Sequence, residues 1–175
     1  MTRRIAQPHE RLTALVDVAN APLHVVLVEP EIPPNTGNVA RLCAATGCAL
    51  HLVEPLGFRI DDRELKRAGL DYWHALGVVM HSSLDAFLES TAEKHRWFFS
   101  THAAHNYAEA TFEHGDMLVF GRETKGLPSE LVTREHERAL RIPMRPQSVR
   151  SINLSTAVGI ATYGALAQLG FPGLS

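Results

Sequence analysis

Ile142-Pro143-Met144, followed by Arg150-Ser151-Ile152-Asn153-Leu154-Ser155, is the stretch on which the reading of this chain turns. Residues 139–143 read as a short strand and residues 153–169 as a helix made largely of small side chains. The polar loop between them sets Arg150, Ser151, Asn153 and Ser155 at a strand-to-helix junction. In α/β proteins ligands bind at such junctions, outside the carboxyl ends of strands.

Two earlier strand exits carry similar loops. Pro33-Pro34-Asn35-Thr36-Gly37-Asn38 follows the apolar run 23–29, and Gly121-Arg122-Glu123-Thr124-Lys125-Gly126-Leu127-Pro128 follows 116–120. Further strands are expected at 49–54, 78–81 and 96–100, with 110–112 strand-like inside an otherwise irregular His-rich segment, 102–114. Helices are expected at 35–46, stopped by Gly47, at 61–70, from a Ser83 cap to 90, and from Pro128 to 133. Strands alternating with helices define an α/β fold, a mainly parallel sheet with helices on both faces. Residues 1–22, bracketed by Pro8 and Pro22 with Leu12, Leu15, Val16 and Ala19 on one helical face, read as an N-terminal extension. Residues 23–175 read as one domain.

Composition narrows the class. At 175 residues, 45% hydrophobic and 21% charged, the chain is an ordinary globular domain. It has no apolar run of bilayer length and no signal-like core, so a cytoplasmic protein without membrane contact is expected. A net charge of −2 argues against a generally basic nucleic-acid coat. A local stripe, Arg63, Lys66 and Arg67, shares one helix face, and Arg145 and Arg150 add charge near the third loop. Cys43 and Cys48 read as small buried hydrophobes rather than metal ligands or a disulfide. His102 and His105 could also serve as metal ligands, but histidines in loops usually face solvent, and no metal is assigned.

Neither a Gly-x-Gly-x-x-Gly turn, a Walker-type Gly-Lys-Ser/Thr nor a Gly-x-Ser-x-Gly elbow occurs. In the first loop Asn35 or Thr36 can cap the helix, and Arg41, further along, suits a phosphate or ribose hydroxyl, although spacing alone favours a surface ion pair. Gly121 stands directly at a strand end, where backbone without a Cβ lets a flat ligand approach. Glu123 either accepts hydrogen bonds from a ligand or braces the loop through backbone N–H groups. The glycines of the last helix, Gly159 and Gly164, imply close packing against a subunit partner or against the chain's own sheet.

Taken in order, the motifs resemble those of the SPOUT superfamily of methyltransferases, and within it the bacterial tRNA wobble-position ribose 2′-O-methyltransferases. The likeness runs through Glu29-Pro30-Glu31-Ile32-Pro33-Pro34-Asn35-Thr36-Gly37-Asn38 with Arg41-Leu42-Cys43, and through Arg67-Ala68-Gly69-Leu70-Asp71-Tyr72. It continues with Phe120-Gly121-x-Glu123-Thr124-x-Gly126-Leu127-Pro128, Ile142-Pro143-Met144 and Arg150-Ser151-x-Asn153-Leu154-Ser155.

The resemblance implies a C-terminal trefoil knot, a homodimer, tRNA as substrate and S-adenosylmethionine as cofactor. It implies cofactor contacts at Ser100, Gly121, Ile142 and Ser151, and catalytic roles for Arg41, Glu123 and Asn153. It places substrate contacts at Arg150 and Tyr163. Ser100-Thr101-His102 matches the pattern loosely. Ribose methylation elsewhere on tRNA or on rRNA is the alternative activity, and a non-catalytic RNA-binding protein on the same fold is the alternative class.

Overall fold

The computed structural model describes residues 16–59 and 76–175. The expected helix at 61–70, the Arg63, Lys66 and Arg67 stripe, the 67–72 motif and most of the N-terminal extension lie outside the described residues. Within them the chain runs β1 (Leu23–Val28), α1 (Pro33–Thr46), β2 (Ala49–Val53), β3 (Val79–His81), α2 (Leu84–Ser90) and β4 (Arg96–Phe99). It continues with β5 (His105–Asn106), β6 (Asp116–Phe120), α3 (Ser129–Arg134), β7 (Ala139–Arg141) and α4 (Leu154–Gln168). The seven strands form one sheet in the order β3-β2-β1-β6-β4-β7-β5. Every pairing is parallel.

The sequence of each strand explains its place. β1, β2 and β6 are buried at every residue, and their mainly apolar runs, each carrying one polar residue (His24, His51 and Asp116), suit strands covered on both faces. One face of the sheet packs Val25, Leu27, Leu50, Leu52 and Leu118 against Val39, Ala40 and Cys43 of α1 and Val158, Ala161 and Ala165 of α4. The other packs Val26, Val28, Phe98 and Val119 against Phe87 of α2 and Leu131 of α3. Val16 and Ala21, from the end of the extension, belong to the first of these clusters.

Some expectations are corrected in detail. Neither Asn35 nor Thr36 caps α1: the cap position is Ile32, without a side-chain bond, and two prolines open the helix instead. Residues 110–112 are not a strand; the edge strand is His105–Asn106, followed by the 3₁₀ turn Tyr107–Glu109. Phe112 is buried there, packed on Trp97 with its N–H donating to Gln168 Oε1 at 3.0 Å. Pro128 stands just before α3 rather than inside it. Ser83 does cap α2, accepting from the Ala86 N–H at 3.1 Å, and Gly47 ends α1 in the left-handed region at φ 71°. Cys43 and Cys48 are free and buried, and burial pushes both thiols up.

Three histidines form a ladder across β1, β2 and β3. His24 Nδ1 lies 2.9 Å from His51 Nε2, and His51 Nδ1 lies 3.0 Å from His81 Nε2. The central imidazole can be neutral and still satisfied, donating through one nitrogen and accepting through the other. Burial, aided by the neighbouring histidines, pushes His51 down to about 3, and burial lowers His24 and His81 as well. In the unfolded chain His51 takes up its proton near pH 6.5, whereas in the fold it stays neutral far below that. Stability is therefore whole above about pH 6.5 and drains as pH falls, because the unfolded chain binds the extra proton. His51 alone contributes a slope of about 1.4 kcal/mol per pH unit. Urea melts between pH 7 and 5 should show a loss of about 2 kcal/mol from this residue, and a His51→Gln variant should show a shallower pH slope. An equal slope in the variant would mean that the proton uptake lies elsewhere.

Candidate active site

β1 and β6 are neighbours, and their chains leave in opposite directions. After β1 the polypeptide enters α1 on one face of the sheet; after β6 it enters α3 on the other. Diverging helices after adjacent parallel strands open a crevice at the carboxyl ends. The first two polar loops occupy its lips.

Glu123 holds the lips together. Its carboxylate accepts from Glu31 N–H at 2.8 Å, from Ile32 N–H at 3.1 Å and from Asn35 Nδ2 at 3.1 Å. Glu31 answers by accepting from the Thr124 N–H at 3.1 Å and the Thr124 hydroxyl at 2.7 Å. These N–H groups precede α1, where a helix leaves its donors unpaired and favours negative charge. Of its two possible roles Glu123 thus takes the brace.

The third loop joins through Asn35. Its amide nitrogen donates to Glu123, so its oxygen is left to accept, and Asn153 Nδ2 donates to it at 3.0 Å. Asn153 Oδ1 in turn caps α4, accepting from the Ser155 N–H at 2.9 Å and the Ser155 hydroxyl at 2.8 Å. Arg150 Nη2 donates to the Thr124 carbonyl at 3.3 Å. One polar chain thereby ties together the exits of β1, β6 and β7. Asn35 was legible only as a cap. Its importance comes from being the third residue of α1, buried beneath both other loops.

The Gly121–Pro128 loop folds back on itself. Arg122 and Gly126 exchange backbone hydrogen bonds of 3.3 and 2.8 Å, with Gly126 at φ 68°. A Cβ on Gly121 would lie 2.1 Å from Gly126 C and Leu127 N. The turn itself demands a glycine here, whatever approaches it. Arg122 also pairs with Glu29 at the end of β1.

The loops enclose a cleft of about 650 Å³ lined by Ser100, Gly121, Glu123, Ile142, Arg150, Ser151 and Asn153. Seven of the nine sequence candidates are therefore brought together. Phe120, Leu140, Ile142 and Leu154 give it apolar walls. Ser100 closes one end, its N–H donating to Leu140 O at 2.9 Å. Tyr163 and Arg41 are not among the lining residues. Tyr163 is 47% exposed on α4 and packs on Phe171 with ring centroids 6.3 Å apart. Arg41 is exposed on α1. The two helix glycines differ: a Cβ on Gly164 would meet Tyr107 of the same chain at 2.8 Å, whereas one on Gly159 would meet nothing of this chain within 4 Å.

A Glu123→Gln variant should lose about 2 kcal/mol of stability, since a carboxamide cannot accept all three bonds and hydrogen bonds to charged groups contribute about 1.5–3 kcal/mol each. Chemical denaturation measures it; unchanged stability would mean that the three bonds are not formed in solution.

An α/β protein with an all-parallel sheet and a cleft built from three strand exits is the class that fold and site define. A sequence profile described as the SpoU rRNA Methylase family matches residues 22–163. The chain belongs to this family. It is 52% identical over 151 residues to a tRNA (cytidine(34)-2′-O)-methyltransferase of Saccharophagus degradans, covering 86% of this chain and 97% of that protein. A structure described as giving insights into the 2-OH methylation of C/U34 on tRNA superposes with a TM-score of 0.79 at 49% identity, covering 85% of this chain and 96% of that one. An AdoMet-bound rRNA methyltransferase from Sinorhizobium meliloti shares the fold, with a TM-score of 0.75 at 24% identity, covering 90% of this chain and 61% of that one.

Proposed function

We propose that the protein transfers a methyl group from S-adenosylmethionine to the ribose 2′-hydroxyl of the wobble nucleotide of tRNA. The observation that carries this reading is the near full-length likeness, about half identical, to a tRNA (cytidine(34)-2′-O)-methyltransferase. The three-loop cleft falls within the matched region. Incubating purified protein and cofactor with unmodified tRNA, then mapping 2′-O-methyl groups by mass spectrometry, tests it. Methylation confined to another position, or to rRNA, would overturn it.

The cleft fits the cofactor chemically. Its apolar walls, Phe120, Leu140, Ile142 and Leu154, suit an adenine face, and the backbone at Ser100 and Gly121, just past β4 and β6, and at Ser151, in the loop before α4, supplies polar partners at its edge. When bound, S-adenosylmethionine supplies an electrophilic methyl on a positively charged sulfur. The chain's own task is to position the ribose oxygen, and orientation can be worth roughly 7–11 kcal/mol of a barrier. Glu123 and Asn153 are positioning residues: both are committed to bonds within the protein, and through Asn35 they fix the loops. Arg150 is anchored through one nitrogen to Thr124 and offers its remaining N–H groups to RNA phosphate. The family likeness gives Arg41, exposed on α1 outside the cleft lining, the role of stabilising the developing 2′-oxyanion.

The same reading includes a C-terminal trefoil knot, a homodimer and a cytoplasmic location. Insertion of β7 between β4 and β5, with residues 150–153 returning to the β6 exit, supports the knotted path. The exposed Tyr163 and Phe171, and the open surface at Gly159, support a subunit interface on α4. Among the described residues no helix is long and apolar enough to cross a membrane.

A further inference from the structure

Behind the Gly121–Pro128 loop, on the side away from the cofactor cleft, lies a second cleft of about 670 Å³. The two share Ser100, His102, Arg122, Lys125, Gly126 and Leu127, so one turn of backbone separates them. Its floor is apolar: Val28, Ala103, Leu127 and Ala139 are buried, and Val132 is half-buried. Its rim carries exposed imidazoles, His102, His105 and His136, and Lys125 stands on the lip common to both clefts. Glu29, the carboxylate in its wall, is neutralised by Arg122.

We propose that this second cleft receives the base of a nucleotide flanking the methylated one. The inference rests on the proposed RNA methyl transfer and adds how the loop around the target is read. Single-stranded RNA is recognised by splaying bases apart, stacking them on rings that include histidine and hydrogen-bonding their edges. The apolar floor suits a base face, and His105 and His136 suit its edge or its second face. Lys125, between the clefts, meets the phosphate that joins the two nucleotides. The 121–128 turn acts as the divider over which the RNA backbone is bent, one nucleotide on each side. The closed Arg122–Gly126 backbone pair makes that divider rigid.

The test uses full-length protein and an anticodon stem-loop in three forms: intact, and with the base 5′ or 3′ of the wobble nucleotide replaced by an abasic residue. In the parent, one abasic substrate should lose about tenfold in kcat/KM, the size of a single base–aromatic stack. In a His105→Ala/His136→Ala variant the intact substrate should show the same loss, and the abasic substrate should lose little more. Binding of S-adenosylmethionine, followed by calorimetry, should be unchanged in the variant, which also reports that it folds. If neither abasic substrate is impaired in the parent, or if the abasic penalty persists undiminished in the variant, the second cleft does not hold a base. If the intact stem-loop is methylated at another position, the wobble assignment fails, while the same comparison around the position used still decides the cleft. Absence of any methylation would overturn both.

Discussion

An Arg41→Ala variant binds S-adenosylmethionine as the parent does, yet transfers methyl at least about a hundredfold more slowly, the loss typical of removing one donor to a developing oxyanion. The expectation follows from where the side chain stands. Arg41 is exposed on α1 and lines neither cleft, so its removal leaves the walls around the cofactor intact. The first turn of the same helix is pinned by Glu123, which fixes the direction in which α1 presents its later residues. Arginine is permanently charged and well matched to phosphate or an oxyanion, so Arg41→Lys should recover only part of the rate. Calorimetry with the cofactor and single-turnover transfer to tRNA separate the two effects. A loss of cofactor affinity equal to the loss of rate would place Arg41 at the cofactor instead.

Gly121→Ala should be strongly damaging. The new Cβ would lie 2.1 Å from Gly126 C and Leu127 N and 2.4 Å from Gly126 O. All three are backbone atoms, so no rotamer change relieves the clash, and the 121–128 turn must open. Overpacking costs about 1–3 kcal/mol where side chains can adapt, and the upper end is expected here. Because that turn walls both clefts and carries Glu123, cofactor affinity should fall with stability. Gly159→Ala is the contrasting control. Nothing in the same chain lies within 4 Å of its Cβ, so replacing this helical glycine should stabilise the single chain by about 0.5–1 kcal/mol, a gain that a partner packed closely on α4 would offset. Paired melting curves and cofactor titrations read both; a Gly121→Ala protein as stable as the parent would show the turn to be adaptable.

The strand runs and caps that local chemistry dictates were legible in the sequence. Leu23 to Val28 is buried on both faces and reads as such, and Gly47 and Ser83 mark their helix ends by known chemistry. The convergence of three loops was also legible, because parallel sheets put every strand exit on one edge. What escaped was set by long-range contacts. Asn35 carries a typical capping side chain, yet two prolines already open α1, and the side chain is recruited by Glu123 and Asn153. The two-residue β5 has no pattern of its own and exists because β7 offers it an edge. The histidine ladder was invisible because His24, His51 and His81 meet only through strand register.

The polar chain joining the three loops also bears on when this protein becomes competent during its synthesis. The Asn35–Glu123 bond spans 88 positions and the Asn35–Asn153 bond 118. Contacts so distant in sequence carry the loop-closure entropy that slows folding. The apolar strands β1 and β2 leave the ribosome early and can collapse, but the cleft has no complete wall until residues 150–154 have emerged. A nascent chain halted before that point would have most of its sheet and the Glu123-braced pair of loops, but not the third wall of its site. A purified chain truncated at residue 145 should accordingly fail to bind cofactor even where its far-ultraviolet spectrum reports secondary structure.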